Sequence, residues 1–238
     1  MKRIAAALAV ALTVTGCSTV ESKDIRTSGM TANLVVTLPE NADEADLSAS
    51  LRVGTLTFVE LGGGEEITAA GGGKSTTLDH HRAAGVTEYR SRLDGVTTAG
   101  TEITFSLKRD GDNASAPTST VVLPERVRLV APAAGTTFSR RADLAVRIDS
   151  GRQPSVLTWA GECIQPGSLQ LEPGRTSATI ARGSIKPAAT TATPSPSTST
   201  CQIDLTLTRR VEGTLDKAFK DGSIVAETQS VRRVVSAP

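Results

Sequence analysis

The chain has 238 residues, with 26 basic and 25 acidic side chains and a formal net charge of +1. That length allows one or two domains, and the near balance argues against a strongly basic nucleic-acid-binding protein. Only four Phe, Trp159 and Tyr89 are present, few rings for the stacking surfaces that single strands and sugars need.

The first element is an apolar leader. Lys2 and Arg3 precede Ile4 to Val14, a run apolar except for Thr13. It is shorter than the roughly 17–25 residues of a bilayer-spanning helix, so it reads as a cleaved secretory signal. Its end, Val14-Thr15-Gly16-Cys17, looks like a bacterial lipobox. The expectation is a signal peptide over 1–16 and an acylated Cys17. Two or more acyl chains anchor stably, at about 0.8 kcal/mol per buried CH₂. By resemblance to lipoproteins of the enterobacterial type, Ser18 in place of Asp points to the outer membrane.

Residues 17–31 are polar beyond the cysteine and lack periodicity, and read as a lipidated N-terminus and tether. Period-two segments follow: Leu34-Val36-Leu38, Ile103-Phe105-Leu107 and Leu144-Val146-Ile148 alternate with mostly polar neighbours. Leu51 to Val59 is strand-like with both faces partly apolar. Glu88 to Leu93 and Ser177 to Ala181 are weaker candidates. Gly62–Gly64, Gly71–Gly73, Asp94-Gly95 and Asp110-Gly111 punctuate them as turns. Helical pattern is confined to two short stretches, 41–46 with Asn41 as cap and 215–220. This predicts an all-β protein of two antiparallel β-sandwich domains, 32–123 and 124–238, joined near Pro124. A Pro/Thr/Ser/Ala-rich flexible loop is expected over 186–200. Residues 17–123 carry net charge −6 and residues 124–238 carry +5, so an acidic unit precedes a basic one.

With Cys17 acylated, Cys163 and Cys201 remain in an oxidising compartment. Cys201 shares side-chain parity with Ile203, Leu205 and Leu207, and Cys163 with Leu157 and Trp159. If both segments are unbroken strands, the two sulfurs face one core and pair. The bond closes a separation of 38 residues, worth about 4 kcal/mol in the chain-entropy model.

Four clusters are candidate sites. Gly71-Gly-Gly-Lys-Ser-Thr76 contains Gly-Lys-Ser, but Thr68 stands where a phosphate loop needs its first glycine; a hairpin turn is expected. Asp79-His80-His81-Arg82 holds both histidines. On a strand the imidazoles point to opposite faces, leaving Asp79 and His81 as two ligands at most, too few for a metal. Glu40, Asp43, Glu44 and Asp46 lack the spacing of a calcium loop. Arg140-Arg141, Arg209-Arg210 and Arg232-Arg233 would make an anion site only if the fold gathers three of the six on one face. No catalytic residue, cofactor site or metal site is assigned.

The segments Val122-Leu-Pro124, Phe138-Ser-Arg140, Leu205-Thr-Leu-Thr-Arg209, Gly213-Thr-Leu-Asp216, Phe219 and Gln229-Ser-Val-Arg232, with the Cys163/Cys201 pair, resemble a loose group of uncharacterised proteobacterial cell-envelope lipoproteins. The resemblance implies tandem immunoglobulin-like β-sandwiches and no known activity. The expected function is a non-enzymatic, lipid-anchored envelope protein with a structural or binding role. The alternative is adhesion to an anionic polymer or ligand through the basic distal domain. The expected partners are the membrane and envelope proteins or an anionic surface polymer, not nucleic acid.

Overall fold

The computed structural model describes residues 18–83, 85–111, 113–188 and 200–238. The expected signal peptide, Cys17 and most of the 186–200 loop lie outside the described residues. Among the described residues, no helix is long and apolar enough to cross a membrane.

The first half contains β1 (Ser18–Glu21), β2 (Thr31–Pro39), β3 (Glu44–Val53), β4 (Thr57–Glu60), β5 (Glu66–Gly71), β6 (Lys74–Thr77), β7 (Asp79–Ala83), β8 (Val86–Asp94), β9 (Glu102–Lys108) and β10 (Ala116–Val122). The second contains β11 (Leu129–Ala131), β12 (Thr137–Ser139), β13 (Leu144–Ile148), β14 (Ser155–Ala160), β15 (Gly167–Leu171), β16 (Ser177–Ile180), β17 (Cys201–Glu212) and β18 (Asp221–Ala237). The strands are the period-two runs, because alternation buries every second side chain. Along β2 and β9 the even and odd positions separate into core and surface without exception. The chain is an all-β protein of two β-sandwich units.

One large sheet belongs to both units, in the order β1-β4-β3-β2-β18-β17-β14-β15, with β8 and β7 beyond β3 and β12 on β18. In the first unit it faces the sheet β10-β9-β5-β6, and in the second the sheet β11-β13-β16. The pairing is not wholly antiparallel as expected. β1–β4, β2–β18 and β12–β18 run parallel. Alternation specifies a strand and its buried face but not the direction of a partner far along the chain.

β18 links the units. Its residues Asp221–Gln229 pair with β2, while β17 accompanies it from Glu212 back to Cys201. Seventeen residues make a strand roughly 50–55 Å long. The chain therefore crosses back over the expected boundary. Leu215, Ala218, Phe219, Ile224 and Ala226 join the first core, with Leu34, Leu51, Ile103 and Phe105. The second core gathers Leu157, Trp159, Ile203, Leu205 and Val234.

Three local expectations differ from the structure. Residues 41–46, expected as a short helix, are instead a turn that enters strand β3 at Glu44, because Ala45, Leu47, Ala49 and Leu51 alternate into the core. Residues 215–220 form a turn whose Phe219 is buried by tertiary packing. Residues 18–31 are not a slack tether. β1 lies on β4, two 3-10 turns follow at Ser22–Asp24 and Thr27–Gly29, and Val20, Ile25 and Met30 pack on the first core.

Candidate functional site

A groove lies on the outer face of β2, β3, β8 and β7. Strand register sets it up. Asp46 stands opposite Arg92, Ser48 opposite Arg90, Asp79 opposite Arg90 and His81 opposite Glu88. The groove has a volume of about 690 Å³ and is lined by Asp46, Asp79, His81, Glu88, Arg90 and Arg92 among others. Its carboxylates are largely matched by guanidinium groups. Arg90 meets Glu88 at 2.5 Å, and Arg92 meets Glu44 at 2.9 Å and Asp46 at 3.3 Å. Such solvent-facing pairs contribute about 0.2–1 kcal/mol each. They supply charge complementarity but no activated nucleophile.

The histidines separate as their spacing requires. His81 faces the groove. His80 lies on the other face, 5.6 Å from the Tyr89 ring and 3.7 Å from Glu60. Burial pushes the Tyr89 hydroxyl up to about 12, and that hydroxyl accepts a hydrogen bond from Leu61 N. Among the described residues, no group of three or more His, Cys, Asp or Glu is arranged to hold a metal.

The glycine-rich segment is the β5–β6 hairpin turn, with Gly72 and Gly73 at positive φ and no helix behind it. The acidic cluster disperses. Asp46 lines the groove and Glu44 pairs with Arg92 at its edge, while Glu40 turns to the junction between units, where Ser230 Oγ donates to it at 2.5 Å. Arg128 at 3.4 Å and Arg232 at 3.6 Å flank the same carboxylate.

Arg209-Arg210 and Arg232-Arg233 split across their strands, and Arg140-Arg141 divides between inside and outside in the turn after β12, so the six are not gathered on one face. Arg140, Arg209 and Arg232 turn inward; Arg141, Arg210 and Arg233 turn outward. Arg233 is taken by Asp204 at 2.9 Å, and this bond holds the Asp204 carboxyl below its ordinary range. Arg140 donates to Ala237 O and Arg232 to Leu129 O. Arg209 is 2% exposed and grips the chain between the units. It donates to Glu125 O at 3.2 Å, Arg126 O at 3.1 Å and Ser155 Oγ at 3.5 Å. A Cβ at Gly151 would collide with its guanidinium. Arg126 in turn donates to the carbonyls of Pro39, Glu40 and Ala42. The inter-unit segment is thereby fixed to both units.

Cys163 and Cys201 form the expected disulfide, with Cα atoms 6.2 Å apart. The supporting geometry differs from a continuous strand: β14 ends at Ala160, and a turn carries Cys163 round to meet β17. Both cysteines are half-buried against the second core.

A buried polar cluster lies outside all the candidate motifs of the sequence. Arg109 has a fully buried side chain and meets Glu65, 4% exposed, at 2.6 Å. It also donates to Thr27 Oγ1 at 3.0 Å, Ser22 O at 2.8 Å and Ile25 O at 3.0 Å. Ser22 Oγ donates to Glu65 as well. This cluster fastens the N-terminal segment to the first unit.

No protein-family model matches the chain, and no curated protein matches its sequence. Solved structures similar to it include three. The FN1–FN3 domains of chicken CNTN1 are 10% identical, over 88% of this chain and 69% of that one, with TM-score 0.28. DIP-gamma IG1+IG2 is 11% identical, over 87% and 94%, with TM-score 0.24. The fibronectin(III)-like modules of Clostridium thermocellum CbhA are 10% identical, over 86% and 94%, with TM-score 0.24.

Proposed function

We propose that the protein is an exported, lipid-anchored cell-envelope protein with a non-catalytic structural or binding role, its two units joined into one stiff body. One observation carries the reading most: β18 is a single strand of both units. Tandem domains joined by an ordinary linker move relative to one another. Here bending requires breaking a continuous sheet and the Arg209 and Arg126 clamps. The anchor reading rests on Val14-Thr15-Gly16-Cys17, and Ser18 favours the outer membrane. The paired, open charges of the groove suit a binding surface better than a reaction centre.

The test is Cys17→Ser, followed by membrane fractionation and intact-mass measurement. Loss of the acyl mass and release into the soluble fraction are expected. A mutant that still partitions with membranes overturns the anchor.

A second reading has support of its own. Arg128 and Arg147 line an open groove on the distal unit with Asp149, Thr176 and Ser177, a surface whose two guanidinium groups outnumber its one carboxylate and suit an anionic envelope polymer. Binding of a polyanion that does not weaken with added salt would count against it.

A further inference from the structure

We propose that the β3–β4 turn, Gly54-Thr55-Leu56, is a membrane-contact tip, and that the first unit rests on the lipid surface rather than hanging from it on a tether. The inference builds on the Cys17 anchor reading and goes beyond it, because it assigns a face of the folded protein to the bilayer.

Three observations support the assignment. The first is the absence of slack. Ser18 is already strand, paired with Thr57, and its N–H donates to Leu56 O at 3.3 Å while its Oγ lies 2.9 Å from Thr57 Oγ1. β1 runs from Ser18 away from the turn, toward Glu21 opposite Glu60. Cα atoms of neighbouring residues are about 3.8 Å apart, so an anchor attached one residue before Ser18 has no length of chain in which to stand off from the turn. The buried Arg109–Glu65 cluster and the core contacts of Val20, Ile25 and Met30 prevent β1 from peeling away to create a spacer.

The second is the chemistry of the tip. Leu56 is 55% exposed, the most exposed of the large hydrophobic side chains among the described residues. Phe58, two residues on, is half-buried. Arg52 stands opposite Phe58 and Thr31, and Asp221 continues the row across β18. Lys220, next to Asp221, is exposed and donates its N–H to Met30 O at this same end. Apolar side chains beside Arg and Lys are what an interfacial contact uses, with apolar groups buried about 5–10 Å into the headgroup boundary.

The third is orientation. β18 leaves this end at Asp221 and reaches the far end of the second unit at Ala237. A tip lying on the bilayer therefore points the basic unit outward, and the stiff sheet keeps it there.

The experiment uses the full-length lipidated protein in phosphatidylcholine vesicles containing bromine-labelled acyl chains. Leu56→Trp places a reporter at the tip, and Val130→Trp, at an exposed position of the second unit, is the comparison; the buried Trp159 is common to both. The expected result is blue-shifted emission that bromine quenches for Leu56→Trp and not for Val130→Trp. Inserting ten Gly/Ser residues after Cys17, which adds about 17 Å of mean reach, should abolish the quenching while the protein still floats with vesicles. If Leu56→Trp floats with vesicles but is quenched no more than Val130→Trp, the contact is refuted and the anchor stands. If the protein carries no acyl mass and does not float, the anchor fails and the contact with it.

Discussion

The two units solve the same problem with different bonds. Among the described residues the first core holds 25 buried hydrophobic residues and the second 15. The larger core fastens its loose segment, the chain between β1 and β2, with a buried ion pair, Arg109 to Glu65. The smaller core fastens the turn after β14 to β17 with a disulfide. Buried area falls with core size, so the smaller unit has less hydrophobic free energy to set against chain entropy. A covalent tie acts on the unfolded chain and leaves the native core unchanged. The ion pair acts in the native state only, and a charge left behind costs more than the pair returns. Reductant should therefore weaken the second unit, and a substitution at Arg109 the first.

The largest effect belongs to the disulfide. Replacing Cys163 and Cys201 with Ser should cost about 4 kcal/mol in chemical denaturation. The loss should appear first in hydrogen exchange of β14, β15 and the lower-numbered end of β17. Equal loss of protection in β5 and β9 would mean that β18 couples the units into one cooperative body, and the comparison above would fail. Next comes Arg109→Ala, expected to cost about 3 kcal/mol. That lies at the low end for a broken buried pair because Glu65 lines an open groove with Ser22 and Asp110 and can turn toward water. Amides of residues 18–30 should lose protection. Arg109→Met combined with Glu65→Leu, which leaves no stranded charge, should cost less than the single change. If the double variant is worse, the pair is not what holds this segment.

Much of this contrast is visible in side-chain phase. Arg109 continues the inward positions Ile103, Phe105 and Leu107, and Arg209 continues Ile203, Leu205 and Leu207. A charged residue in the buried phase of a strand signals a buried partner, and both arginines have one. β18 carries the same kind of mark. Ile224 and Ala226 face the first core and Val234 the second, while Thr228, Ser230 and Arg232 interrupt the inward series between them. That polar break is where one core gives way to the other. The identity of the partners was not legible. Glu65 sits among turn glycines, and the pairing of β2 with β18 joins residues 190 apart. Helix signals at 41–46 and 215–220 were local and were overridden by core contacts. The groove at Asp79 and His81 was half legible: the strand put them on one face, but only the register brought Glu88 and Asp46 beside them.

The smallest effect tests how the tip of the β17–β18 connection is held on β10. Asp216 accepts hydrogen bonds from Thr118 N at 2.8 Å, Thr118 Oγ1 at 2.7 Å and Ala218 N at 2.8 Å. Partial burial works against its charged form, but the bonds from Ala218 and Thr118 together outweigh it and hold the carboxyl below its ordinary 3.8. The folded state therefore binds this proton more weakly than the unfolded chain. The stabilisation is present above the ordinary aspartate value and is lost as pH falls through the lower folded value. Asp216→Ala should cost about 1 kcal/mol at neutral pH, the size of a half-exposed hydrogen-bonded carboxylate. Its deficit against the parent should shrink on acidification below 3.8, because the parent loses the same interaction by protonation. Denaturant midpoints of the two proteins from pH 7 downward measure this directly. A deficit that stays constant into acid would mean that the side chain holds the turn by shape rather than by charge. The acid-labile tie would then be absent from the first unit, and the contrast with the pH-indifferent disulfide of the second would rest on Arg109 and Glu65 alone.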